Sequence, residues 1–213
     1  MSMIVNRRDI DFYLYEMLDL EGLLKNDRYQ EHDRDTVTAI LDLAQQIAEE
    51  AFLPCAAELD EHEPVFESGR AVTPDSLKAC LKTFVEAGLP AATFDAALGG
   101  MQLPMLVANF MQGIFQAANG SAVGYIFLTT SNAHMLEACG SDALRARYLP
   151  PLVEGRWFGT MCLSEPHAGS SLSDIRCMAE PLGDGSFKLT GTKMWISGGD
   201  QDVSENIVHM VLA

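Results

Sequence analysis

The chain has 213 residues, enough for one substantial core or two small ones, and a hydrophobic share of 48% that places it among globular sequences and excludes a disordered one. Its 30 Asp and Glu against 14 Lys and Arg give a formal charge of −16, which argues against nucleic acid and anionic membrane surfaces as partners. Five cysteines, odd in number and without a Cys-x-x-Cys pair, and five histidines without ligand spacing point to a reducing compartment, with no disulfide frame and no metal site.

No targeting segment is expected. Arg7 and Arg8 are followed by Asp9, Asp11 and Glu16 among aromatics, with no apolar run. The apolar stretch 103–136 is interrupted by Asn109, Gly113, Asn119, Gly120 and Gly124, so no membrane span is expected and the chain reads as cytoplasmic.

In chain order, Phe12, Tyr13, Tyr15, Met17, Leu18 and Leu20 suggest a short helix or docking segment within an N-terminal extension, 1–35. A helical domain, 36–155, comes next. Val37, Ile40, Leu41, Ala44, Ile47 and Ala48 recur with helical period over 36–52, and Pro54 is read as the stop. Thr73 and Pro74 open the next helix as cap and first residue, and Gly88-Leu89-Pro90 closes it. After a loop at Leu98-Gly99-Gly100 come two helices, 104–118 and 121–139, broken at Asn119-Gly120. They are apolar on most faces and are expected as the buried core of a bundle. Ser141 caps a last short helix that ends near Pro150-Pro151. From 156 to 213 the pattern becomes strand-like, with strands at 157–163, 175–180, 187–189, 194–197 and 206–212 and a hairpin turn at Gly183-Asp184-Gly185. The expected fold class is α+β: an all-α N-terminal domain followed by the first strands of a β-barrel-like middle domain.

Two blocks carry the chemistry. Met161-Cys162-Leu163-Ser164-Glu165-Pro166-His167-Ala168-Gly169-Ser170-Ser171 runs from a strand into a loop of small residues, and Lys193-Met194-Trp195-Ile196-Ser197-Gly198-Gly199 comes about one hairpin later. The near absence of bulk at Ala168, Gly169, Ser170 and Ser171 lets backbone N–H groups approach a ligand, and successive N–H groups form an anion-binding concavity to which Ser170 adds a hydroxyl. Trp195 offers a planar face, and on a strand Ser197 shares that face. The blocks together describe a site for a flat, phosphate-bearing anion, although each alone also reads as an ordinary turn or a core indole.

In this order and spacing the blocks resemble the flavin-binding strands of the acyl-CoA dehydrogenase family, and the wider organisation is similar to its long members of the methylmercaptopropionyl-CoA dehydrogenase type. The resemblance implies FAD as cofactor. Leu163 and Ser164 would face the pyrimidine edge of the flavin. The Gly169–Ser170 loop would hold the pyrophosphate, with Ser170 bonding it; Trp195 would pack on the ring, and Ser197 would donate near N5. Ser171 stands where the family usually has Asp, Gly198 where Asn is common, and Met161 where many members have an aromatic.

The resemblance further implies α,β-dehydrogenation of an acyl-CoA thioester, with electron-transfer flavoprotein as acceptor and a homodimer or homotetramer at full length. No residue here matches the catalytic base, which is expected beyond residue 213 together with a C-terminal four-helix domain absent from this chain; the counterpart of Glu165 is structural. Two rivals remain open on the sequence: an oxidase related to acyl-CoA oxidase or nitroalkane oxidase, and a catalytically silent helical interaction module.

Overall fold

The computed structural model describes residue 2 and residues 4–213; Met1 and Met3, at the start of the expected extension, lie outside the described residues. Asn6 opens α1 (Arg7–Asp11) by accepting the Arg8 N–H at 3.2 Å, and the chain passes directly into a π-turn, Phe12–Met17, and then α2 (Leu20–Leu23). Ile10, Leu14 and Leu20 are buried, so this segment docks by three side chains while Phe12, Tyr13, Met17 and Leu18 stay exposed.

A reciprocal cap between Asp33 and Thr36 starts α3 (Arg34–Ile47), which buries Val37, Leu41, Ala44 and Ile47. Pro54 does not end it. A π-turn, Ala48–Phe52, carries the helix into α4 (Leu53–Glu61), and Pro54 is accommodated directly after that turn, where Leu53 N–H still bonds Ala48 O and the helix runs on. A two-stranded hairpin comes next, β1 (Val65–Glu67) antiparallel to β2 (Arg70–Val72), around Ser68 and Gly69 at φ 52° and 86°.

Helix α5 (Asp75–Glu86) is capped by Pro74 without a side-chain bond, so the expected Thr73 cap is absent: the Thr73 hydroxyl donates to Asp202 Oδ1 at 2.7 Å instead. Gly88, left-handed at φ 73°, closes that helix region. Helices α6 (Met105–Ala118) and α7 (Gly120–Cys139) are separated by Asn119, whose Oδ1 accepts the Ala122 N–H at 3.1 Å and whose Nδ2 donates to Phe52 O at 3.2 Å. One asparagine thus caps a helix and fastens it to the π-turn. Ser141 caps α8 (Asp142–Val153), which runs through both prolines; buried Leu149, Leu152 and Val153 anchor it, and Glu154 N–H bonds Pro150 O at 2.9 Å. The core centres on Phe52, Phe84 and Phe115, with ring centroids 4.8–6.4 Å apart. Helix α7 is less enclosed than its composition suggests, because Phe127 and Met135 are exposed.

Strand β3 (Trp157–Cys162) lies under α7. Gly159 donates to Thr129 Oγ1 at 3.0 Å, and a Cβ there would stand 2.6 Å from Asn132 Cβ, so only glycine permits this approach. β4 (Met178–Pro181) and β5 (Phe187–Thr190) form the expected antiparallel hairpin, and β6 (Asn206–Val211) pairs with β3 in parallel, Trp157 opposite Asn206 and Cys162 opposite Val211. The Asn132 amide donates to Thr160 O at 3.2 Å and Val208 O at 2.9 Å, pinning α7 to both strands. The expected strand at 194–197 is absent. Only Met194 pairs, its N–H donating to Ser164 O at 3.0 Å, and left-handed residues at Trp195 (φ 60°) and Gly198 (φ 63°) turn the chain out of any ladder.

Candidate functional site

Strand β3 delivers Leu163 and Ser164 to the edge of the β3–β6 pair, and Glu165 organises the loop after them. Its carboxylate accepts the N–H groups of Arg176 at 2.7 Å and Cys177 at 2.9 Å, and the Lys193 ammonium at 2.9 Å. Lys193 also donates to Leu163 O at 2.9 Å. These donors, the Arg176 N–H foremost and Lys193 next, hold the Glu165 carboxyl down at about 2. The two sequence blocks are therefore joined by one nearly enclosed ion pair, with side chains 3% and 10% exposed.

The loop between the blocks is folded back on itself. Glu165 and Ala168 exchange both backbone hydrogen bonds, and His167 Nε2 meets Asp174 O at 3.1 Å. Beyond Ala168, among the described residues, the N–H groups of Gly169, Ser170 and Ser171 have no acceptor, and neither does the Ser170 hydroxyl. A Cβ built on Gly169 would meet nothing within 4 Å. Three consecutive open donors beside an open glycine fit an anion such as a pyrophosphate. The N–H groups of Leu163 and Ser164 are likewise without partners, whereas the Leu163 carbonyl is taken by Lys193.

Trp195 is 84% exposed and left-handed, an uncommon conformation for a bulky side chain. With no strand at this point, alternation does not place Ser197 on the Trp195 face; Ser197 is exposed in the turn that Gly199 closes by donating to Ile196 O at 3.0 Å. Trp195, Lys193, Cys162 and His209 border a wide depression of about 460 Å³. An indole held this way and left uncovered matches a planar ligand better than a core position.

A second clamp sets the distance between the helical part and these blocks. Asp202 accepts the Thr73 N–H at 2.9 Å and hydroxyl at 2.7 Å and the Lys78 ammonium at 2.8 Å, while Asp200 accepts the Ala71 N–H at 2.8 Å. Burial pushes the Asp202 carboxyl up, but Lys78 and Thr73 outweigh it and hold it well below the usual carboxylate range. Sequence reasoning missed both clamps. The signal for the first was available: Lys193, followed by Met194, Trp195 and Ile196 at the head of the second block, calls for a carboxylate partner, and Glu165 was the one within the motif.

A sequence model of the acyl-CoA dehydrogenase N-terminal domain matches residues 34–156, more than half of the chain, and the chain belongs to the acyl-CoA dehydrogenase family. It is 37% identical over 206 residues to 3-methylmercaptopropionyl-CoA dehydrogenase of Ruegeria pomeroyi, covering 97% of this chain and 35% of that protein. Its fold is similar to butyryl-CoA dehydrogenase from Megasphaera elsdenii, with a TM-score of 0.65 and 24% identity over 79% of this chain and 42% of that one. It is also similar to an acyl-CoA dehydrogenase from Bacillus anthracis solved with FAD, with a TM-score of 0.63 and 24% identity over 78% of this chain and 27% of that one. The chain spans about a third of the length of the curated relatives it matches. Among the described residues no helix is long and apolar enough to cross a membrane.

Proposed function

We propose that this chain is the N-terminal part of an FAD-dependent dehydrogenase that removes hydrogen from the α and β carbons of an acyl-CoA thioester. The observation that carries this reading is the set of three open N–H groups at Gly169, Ser170 and Ser171, fixed relative to exposed Trp195 by the Glu165–Lys193 pair. Bound there, FAD supplies the acceptor for the hydride. Gly169 and Ser170 hold its phosphates, the Leu163 and Ser164 N–H groups and the Ser164 hydroxyl face the pyrimidine edge, Trp195 covers the ring, and Ser197 donates near N5. Glu165 is committed to the loop and does not act as the base, because its carboxylate is enclosed by three donors. The base belongs to the remainder of the enzyme, the full-length protein is a homodimer or homotetramer in this reading, and electron-transfer flavoprotein is the proposed acceptor.

The test is the visible spectrum of the purified full-length protein, followed by acyl-CoA-dependent dye reduction. A bound-flavin spectrum with turnover is expected; protein that carries and takes up no flavin would remove the proposal.

A further inference from the structure

Between α5, α6 and α7 lies a pocket of about 260 Å³, just below the usual range for small-molecule sites and of a size to take part of a ligand. Phe84, Leu89, Met111, Phe115, Ile126 and Phe127 are part of an apolar wall, and polar side chains also line the pocket. There His134 Nε2 meets Thr93 Oγ1 at 2.8 Å and Nδ1 lies 3.4 Å from Glu137 Oε2. The imidazole lies flat on Phe94, with centroids 4.1 Å apart and planes at 11°. A carboxylate only accepts, so Glu137 favours the tautomer with its proton on Nδ1, and Nε2 then accepts the Thr93 O–H. The Thr93 oxygen keeps its lone pairs as an acceptor towards the pocket. Gln112, Thr130 and Ser131 also line it, and their side chains make no hydrogen bond to the described residues. An entirely apolar occupant would desolvate these groups without replacing their hydrogen bonds.

We propose that this pocket seats the far end of an acyl chain bearing a hydroxyl group, which donates to Thr93 and accepts from the amide or hydroxyl donors of α6 and α7. The inference rests on the proposed acyl-CoA activity and narrows it to hydroxylated acyl substrates. Thr93 and Gln112 are then the residues that discriminate, and His134 is a positioning residue that sets the polarity of the Thr93 hydroxyl.

The test is calorimetric titration of the 213-residue chain with the N-acetylcysteamine thioesters of 5-hydroxypentanoate and hexanoate, which have equal numbers of chain heavy atoms. The hydroxylated probe should bind about tenfold tighter, the effect of one well-made hydrogen bond. Thr93→Val should bring the two probes within about twofold of each other. Gln112→Leu, on the half-buried face of α6, should narrow the gap without touching the relay. Equal binding, tighter binding of hexanoate, a preference that survives in both variants, or no binding of either probe at millimolar concentration would each overturn the inference. Flavin content of the full-length protein is read independently, so a flavin-loaded, active enzyme without hydroxyl preference removes only this narrowing, whereas absence of flavin removes the reading beneath it.

Discussion

The helical and strand regions of this chain are stabilised in different ways. In the helical part Phe52, Phe84 and Phe115 close on one another and Leu41, Val107 and Ile114 are fully covered, so a closed apolar core sits inside the unit even though Met105, Phe127 and Met135 face outward. In the strand part Met178, Leu182, Phe187, Leu189 and Trp195 are all more than half exposed. β4 and β5 are held by their ladder alone, and a lone two-stranded hairpin is marginal in water. β3 and β6 pack Phe158, Val208 and Met210 against the helices, and the rest of the strand region is tied down by polar staples: Glu165 with Lys193, Asp202 with Thr73 and Lys78, and Asn132 across β3 and β6. Packing builds the scaffold, and hydrogen bonds aim the site.

That contrast can be broken in order of effect. Phe115→Ala should cost about 3–5 kcal/mol in a chemical unfolding experiment, as for other buried aromatics; a loss under about 1 kcal/mol would mean the helical core is not the stabilising unit. Ser170→Ala in the full-length protein should weaken FAD retention by about ten- to a hundredfold, the value of a hydrogen bond to a charged group. Unchanged flavin content after gel filtration at low protein concentration would return the loop to an ordinary turn. Asp202→Asn should lower stability by about 1–2 kcal/mol, because the amide keeps one acceptor but loses the charge that meets Lys78. An unaltered unfolding midpoint would show that the clamp is incidental.

Acid should act through Glu165 alongside Asp202, whose carboxyl is also held below the usual range. The Glu165 folded-state value of about 2 lies below the ordinary 4.5, so its contribution is fully present above pH 4.5 and is lost as pH falls from there towards 2. The unfolding midpoint of Glu165→Gln should therefore fall less steeply than wild type across that window, and parallel curves would remove Glu165 as the staple. The smallest effect belongs to the strand surface: Phe187→Ala, 59% exposed, should change stability by no more than about 0.5 kcal/mol.

Much of this fold was legible in the sequence, and the failures share causes. The break between α6 and α7 could be read because asparagine caps helices and glycine comes after it; the structure uses Asn119 in that way. Pro54 misled: it stands directly after a π-turn that carries the helix past it, so it forces no stop, whereas the helix expected to end near Pro150 and Pro151 does end close to them, at Val153. The β1–β2 hairpin was invisible because three-residue strands carry no measurable alternation. At the site, the order of the two blocks suggested candidate residues, but the backbone of Trp195 and the pairing of Lys193 depend on contacts 28 or more residues away, which no local pattern records.

The central claim is that Trp195 stands exposed to cover a flavin. In a Trp157→Phe background Trp195 is the sole tryptophan among residues 1–213, since the chain has 2. If the remainder of the protein adds others, they are replaced by Phe as well, and full-length apoprotein is then titrated with FAD. The account predicts saturable quenching of the Trp195 emission that exceeds the inner-filter correction and persists as flavin binding in Trp195→Phe, which preserves an aromatic face. Flavin bound without quenching would place Trp195 away from the cofactor and contradict the arrangement of the second block.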